Sequence, residues 1–168
     1  MKPPTMQQGH SDDFQTPEWV LDYLMPYIPK KWTIWECACG KGNLVRGLQT
    51  REYRVIFSDI LNGAIFDFLA QLPPISFDMI LTNPPYTSKD RFLAQCYEFN
   101  KPFALLMPLT ALEGQKRQAL YREHGLELIL LPRRVNFETP SGEGAGAWFA
   151  SAWFTSGLQI GHGLTFST

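Results

Sequence analysis

The 168-residue sequence is short of the features that mark several large protein classes. Cysteine is scarce: Cys37 and Cys39 stand one residue apart, and Cys96 is remote from both. Three thiols so placed give neither a disulfide framework nor a zinc-ligand spacing, so no metal is expected. Reduced thiols in a cytoplasmic protein are the simpler reading. An excess of charge of either sign is also missing. Fifteen Lys and Arg stand against sixteen Asp and Glu, a formal net charge of −1. That removes the global basic footprint of a tight non-specific nucleic-acid binder. A local basic rim stays compatible, because phosphate contacts need only a few Lys or Arg. No apolar run approaches a membrane span, and the polar opening of residues 1–13 lacks a signal peptide's apolar stretch. Internal repeats and low-complexity blocks are absent as well.

What is present is material for a core. Apolar residues make up 45%, charged ones 18% and aromatics 14%, so one domain can be filled without disulfide staples. The expected division is a flexible lead over 1–13, a single domain over 14–158 and a tail over 159–168. Thr16 and Pro17 look like a helix start, with Val20, Leu21, Leu24 and Met25 as its apolar face and Pro26 to Pro29 as its end. Strands are expected at 32–36, 54–58, 77–82, 103–107, 127–131 and 148–154, with a short extended piece at 64–66. Helices are expected near 43–49, 91–97 and 111–124, the last stopped by Gly125. Strands alternating with helices imply an α/β, Rossmann-like fold: a mostly parallel sheet with helices on both faces. The last two strands have no helix between them and should form an antiparallel pair at one edge. Ligands of such sheets bind beyond the strands' C-terminal ends.

The unusual residues all fall at those ends. After the first strand comes Glu36-Cys37-Ala38-Cys39-Gly40-Lys41-Gly42. Its glycines let the backbone turn sharply and bring main-chain N–H groups against a ligand. An ordinary strand-to-helix turn would use the same residues. Asp59 ends the second strand, about 20 residues beyond the glycines, where a carboxylate can accept from ribose hydroxyls. It would serve equally as a surface carboxylate or a cap. Asp67-Phe68 offers a carboxylate for an amino group and a ring for a base, although Phe68 also suits core packing.

Asn83-Pro84-Pro85-Tyr86 is the most specific motif. Consecutive prolines fix their own φ and restrict the residue before each, giving a stiff extended tetrapeptide. It presents an amide oxygen, a backbone carbonyl and an aromatic face. An amino group conjugated to a ring is a poor nucleophile because its lone pair is delocalised. Two acceptors, the Asn83 side chain and the Pro84 carbonyl, can hold both N–H bonds and favour a pyramidal nitrogen. Tyr86 can stack on the planar group.

Taken in order, Phe14-Gln15-Thr16-Pro17, the glycine turn, Asp59, Asp67-Phe68 and Asn83 to Tyr86 resemble the amino-methyltransferases of DNA. The likeness covers residues 14–155 and is greatest to the small phage-type N6-adenine enzymes, whose late Arg-containing segment is echoed by Arg134-Val135-Asn136-Phe137. The resemblance implies S-adenosyl-L-methionine as cofactor, adenine-specific DNA methyltransferase activity and the cytoplasm of a bacterial or phage-infected cell. It implies that Thr16 and Pro17 border the methionine end and that Glu36, Ala38, Gly40 and Gly42 line the cofactor. Asp59 would hold the ribose, Asp67 and Phe68 the adenine, and Asn83 would reach the cofactor as well as the acceptor. Little chain follows the tetrapeptide beyond core strands, where sequence-specific enzymes carry a recognition region. Short or relaxed specificity is therefore expected, with contacts from Lys89, Arg91, Arg133, Arg134 and Trp148, although the two late arginines also read as a solvated rim. RNA bases and protein glutamine are alternative acceptors, and an inactive subunit of this fold is a further alternative. A dehydrogenase-like nucleotide domain leaves Asn83 to Tyr86 unexplained.

Overall fold

The computed structural model describes residues 15–59, 67–70, 76–139, 142–143, 149–161 and 164–166. Among the described residues, seven strands form one sheet: β1 (Thr33–Glu36), β2 (Arg54–Phe57), β3 (Met79–Thr82), β4 (Phe103–Pro108), β5 (Glu127–Leu130), β8 (Ser151–Ser156) and β9 (Leu164–Phe166). Their spatial order is β2-β1-β3-β4-β8-β5-β9. β1 to β4 are parallel neighbours, β8 runs against both β4 and β5, and β9 is parallel to β5. The antiparallel pair expected toward one edge is therefore present as β5 and β8. β9 adds a strand beyond it, from the stretch read as a tail. Two short strands, β6 (Glu138–Thr139) and β7 (Gly142–Glu143), form a separate antiparallel ribbon between β5 and β8. The extended piece expected at 64–66 lies outside the described residues, as do the lead over 1–13 and Trp148.

Side chains alternate across the sheet with period two, so each strand feeds two cores. Ile34, Met79, Leu81, Ala104, Leu106, Ile129 and Trp153 face Val20, Leu21, Leu24 and Ile28 together with Leu44 and Leu48 of α1 (Asn43–Thr50). Trp35, Ile80, Phe103, Leu105, Leu128 and Phe154 face Phe92, Leu93 and Cys96 of α2 (Lys89–Glu98). β3 and β4 are buried along their whole length, as central parallel strands covered on both faces must be.

Two helices differ from expectation. Residues 17–25 form no α-helix; 3₁₀ turns at Glu18–Leu21 and Met25–Tyr27 stand there instead. Thr16 is buried and caps nothing: the residue before the first turn is Pro17, with no side-chain cap. The reason is tertiary. The buried Trp153 indole donates to the Val20 carbonyl at 2.9 Å, the acceptor that Leu24 N–H would use in an α-helix. Leu24 N–H donates to Leu21 instead. The helix expected over 111–124 is likewise divided, into a 3₁₀ turn (Leu109–Leu112) and α3 (Gln115–His124). Gly114 between them has φ +99, and Arg117 Nε donates to the Ala111 and Glu113 carbonyls at the break.

Candidate active site

The glycine turn after β1 is built by residues from three places in the sequence. Gly40 and Gly42 take φ of +52 and +81, conformations a side chain would strain. Asp59 Oδ2 accepts from Gly40 N at 2.6 Å, and Gln15 Oε1 accepts from Lys41 N at 3.0 Å. A Cβ at Gly40 would lie 2.8 Å from Gln15 Nε2, so the Gln15 side chain lies directly against the turn. Sequence reasoning placed Gln15 only in a motif and gave it no role. Burial of a glutamine beside a polar lead-in leaves no periodic signal. Cys39 N donates to Ser58 O and Gly42 N to Cys39 O, which ties the turn to the end of β2.

Two carboxyls stand at this turn. Asp59 is 7% exposed and Glu36 only 1%. Burial pushes the Glu36 carboxyl up to about 8, and the negative charge of Asp59 acts in the same direction; the N–H of Ala38, which donates to Glu36 Oε1 at 3.1 Å, opposes them. Burial first, then the charge of Glu36, also raises the thiols of Cys37 and Cys39. Neither is a ready nucleophile; both act as small residues in a tight turn.

β3 continues into Asn83-Pro84-Pro85-Tyr86, beside the end of β1, with which it pairs through Ile34–Met79 and Trp35–Ile80. Pro84 is buried. Asn83 Oδ1 is enclosed and accepts no hydrogen bond among the described residues. Leaving such an acceptor unsatisfied costs about 1–3 kcal/mol. The Tyr86 ring meets Phe149 edge-on at 5.4 Å and Phe137 at 6.2 Å. β3 therefore ends in an amide oxygen directed nowhere within the described chain, beside a backbone turn and two carboxyls.

No protein-family profile matches the sequence, and no curated protein matches it either. Solved structures do. The modification subunit of a type I restriction enzyme from Vibrio vulnificus is similar over 90% of this chain at 15% identity, with a TM-score of 0.55. This chain spans 45% of that subunit's length. The glycopeptide N-methyltransferase MtfA, solved with S-adenosyl-L-methionine, is similar over 92% of this chain and 99% of its own, at 10% identity and a TM-score of 0.51. The fold is the Rossmann-like methyltransferase fold.

Within that methyltransferase fold, the remaining residues singled out in the sequence fall into two groups. Asp67 caps its own turn, its Oδ1 accepting from Leu69 N at 2.9 Å. Phe68 is 3% exposed; its ring stacks on Phe92 at 4.8 Å and meets Trp35 edge-on at 5.3 Å. Packing, and not an open platform for a base, is what the structure gives Phe68. The basic residues are peripheral. Lys89 Nζ donates to the Tyr86 carbonyl at 3.1 Å, bracing the tetrapeptide from the first turn of α2. Arg91, Arg133 and Arg134 are exposed. Among the described residues no helix is long and apolar enough to cross a membrane.

Proposed function

We propose that this chain is an S-adenosylmethionine-dependent methyltransferase acting on a planar, conjugated amino nitrogen, with N6 of adenine in DNA the favoured acceptor. The observation that carries this reading is the buried, unsatisfied Asn83 Oδ1 at the end of a central strand. A buried acceptor without a donor fits a ligand that brings an N–H.

The residues around it fit the cofactor. Left-handed Gly40 and Gly42 keep the turn tight, and its N–H groups are held by Glu36, Ser58, Asp59, Gln15 and Cys39. This reading gives Asp59, which follows β2, the ribose hydroxyls, and gives Glu36, a buried carboxyl, a place in the cofactor's lining. Gln15 closes the same turn; Thr16 and Pro17, which follow it, are given the methionine end in this reading. When bound, S-adenosylmethionine supplies an electrophilic methyl on a sulfonium. The chain's own part is positional. Asn83 Oδ1 and the Pro84 carbonyl accept both N–H bonds of the acceptor, which keeps its lone pair out of conjugation and fixes its direction. The prolines hold these two oxygens without a conformational search. Tyr86 packs against the planar group, and the rings of Phe137 and Phe149 hold Tyr86.

The test is Asn83→Ala, assayed with labelled cofactor against separate DNA, RNA and protein acceptors and read by nucleoside mass spectrometry. Turnover should fall by at least roughly a hundredfold, as for loss of an interaction made in the chemical step, while cofactor affinity stays within about twofold. Near-normal turnover in a folded variant would refute the role of Asn83. Product on glutamine or RNA, with none on adenine in DNA, would replace the acceptor and keep the chemistry.

A further inference from the structure

The arginines of this chain differ in what holds them. Arg51 is paired with Asp22, Arg117 with Asp90, and Arg46 bonds Lys41 O and the Asn43 side chain. Arg133 has no ion pair among the described residues; its guanidinium lies 4.6 Å from the centroid of the Trp19 ring. Stacking occupies the face of a guanidinium and leaves its N–H edges directed outward. The platform beneath is fixed. Trp19 is partly buried and meets Tyr23 edge-on, and its neighbour Val20 is bonded through its carbonyl to the Trp153 indole.

The pair also stands on the rim that bears the tetrapeptide. Arg133 follows the C-terminal end of β5, and the chain then runs to Phe137, whose ring meets Tyr86. The four steps of chain from Arg133 to Phe137 span at most roughly 14 Å. Trp19 lies four residues beyond Gln15, which rests on the glycine turn. A planar cation with free donor edges, held rigidly within a short reach of Tyr86, matches a bidentate oxyanion. On a chain of net charge −1, a phosphate backbone depends on local cations of this kind.

Resting on the nucleic-acid reading above, we infer that Arg133 binds a phosphodiester of the strand that flanks the target nucleotide, and that Trp19 is the positioning residue that presents it. Trp19 touches no reacting atom in this scheme.

Methylation and binding of a short oligonucleotide with one adenine, measured over a range of salt, test this in the full chain. Arg133→Ala should raise the oligonucleotide KM roughly 5–20-fold and lower the slope of log affinity against log salt by about one, with cofactor affinity unchanged. Arg133→Lys should fall between, because it keeps the charge and loses the stack. Trp19→Phe should behave nearly as wild type and Trp19→Ala as Arg133→Lys; Arg122→Ala on α3 serves as a control that leaves both constants alone. If wild type methylates the oligonucleotide and Arg133→Ala matches it in KM and salt slope, the clamp is overturned while the adenine reading stands. If wild type ignores the oligonucleotide and instead binds an acidic peptide through Arg133, both are overturned.

Discussion

Glu36 is the residue whose chemistry departs furthest from its type. Its carboxyl is held near 8 in the folded chain, whereas an unfolded chain returns it to the ordinary value of 4.5. The folded state therefore binds more protons between those values, and stability falls as pH rises through that window. Below about 4.5 both states are protonated and the group contributes no slope. The loss on ionisation is on the order of a few kcal/mol. Thermal melts from pH 5 to pH 9 should show the midpoint declining, and Glu36→Gln should flatten the decline and be the more stable form at pH 9. An unchanged slope in the variant would assign the pH dependence to another group. That Glu36 stands at a strand end beside a glycine turn was legible in the sequence. Its protonation was not, because that depends first on burial by strands far away in the chain and only then on the nearby Asp59.

At the scale of elements, the 3₁₀ segment and α1 approach each other closely through a glycine. Gly47 lies inside α1, where alanine would ordinarily be favoured by about 1 kcal/mol. A Cβ there would sit 2.8 Å from Leu21 Cδ1 and 3.1 Å from Glu18 Cγ, and Leu21 is fully buried. The clash outweighs the propensity gain. Gly47→Ala should lower stability by about 1–3 kcal/mol, as overpacking of a filled core does; chemical denaturation measures it, and a stabilised variant would show that the segment yields. The same 3₁₀ segment differs from its sequence pattern. Apolar spacing over 20–25 suggests an α-helix, but the bond from Trp153 to Val20 recruits a helical acceptor from over a hundred residues away. The six longer strands were legible because their apolar runs are bounded by glycine, proline and charge. β9 and the β6–β7 ribbon were not, since two- and three-residue strands carry no period.

For the molecule as a whole, both cores sit on one continuous sheet, and the site residues come from one end of it. Sequence order alone brought Glu36, Asp59 and Asn83 to that end, because Glu36 ends one parallel strand and the other two follow its parallel neighbours. Gln15 and Trp19 join them only through tertiary packing. β8 runs against both its neighbours, so the chain between β5 and β8 leaves and returns at the same end of the sheet. Its length can change without shifting any register. Adding six Gly/Ser residues after β7 should leave the melting midpoint within about 3 °C, because doubling a loop costs only about 0.6 kcal/mol in closure entropy. Val135 and Phe137 of this connection are already core residues; a drop of more than about 10 °C would show that the stretch after β7 is tied to the core as well.

That closed-ended connection makes the rim a cassette position. Everything proposed to activate the nitrogen is fixed by strands β1 to β4, whereas what approaches it can be set by a stretch both of whose anchors lie beside Tyr86. Descendants of such a fold can exchange the residues between Phe137 and Phe149, short for long or one recognition module for another, while the rings that hold Tyr86 stay in place. Choice of target and ability to react are then separate inheritances, open to recombination one at a time.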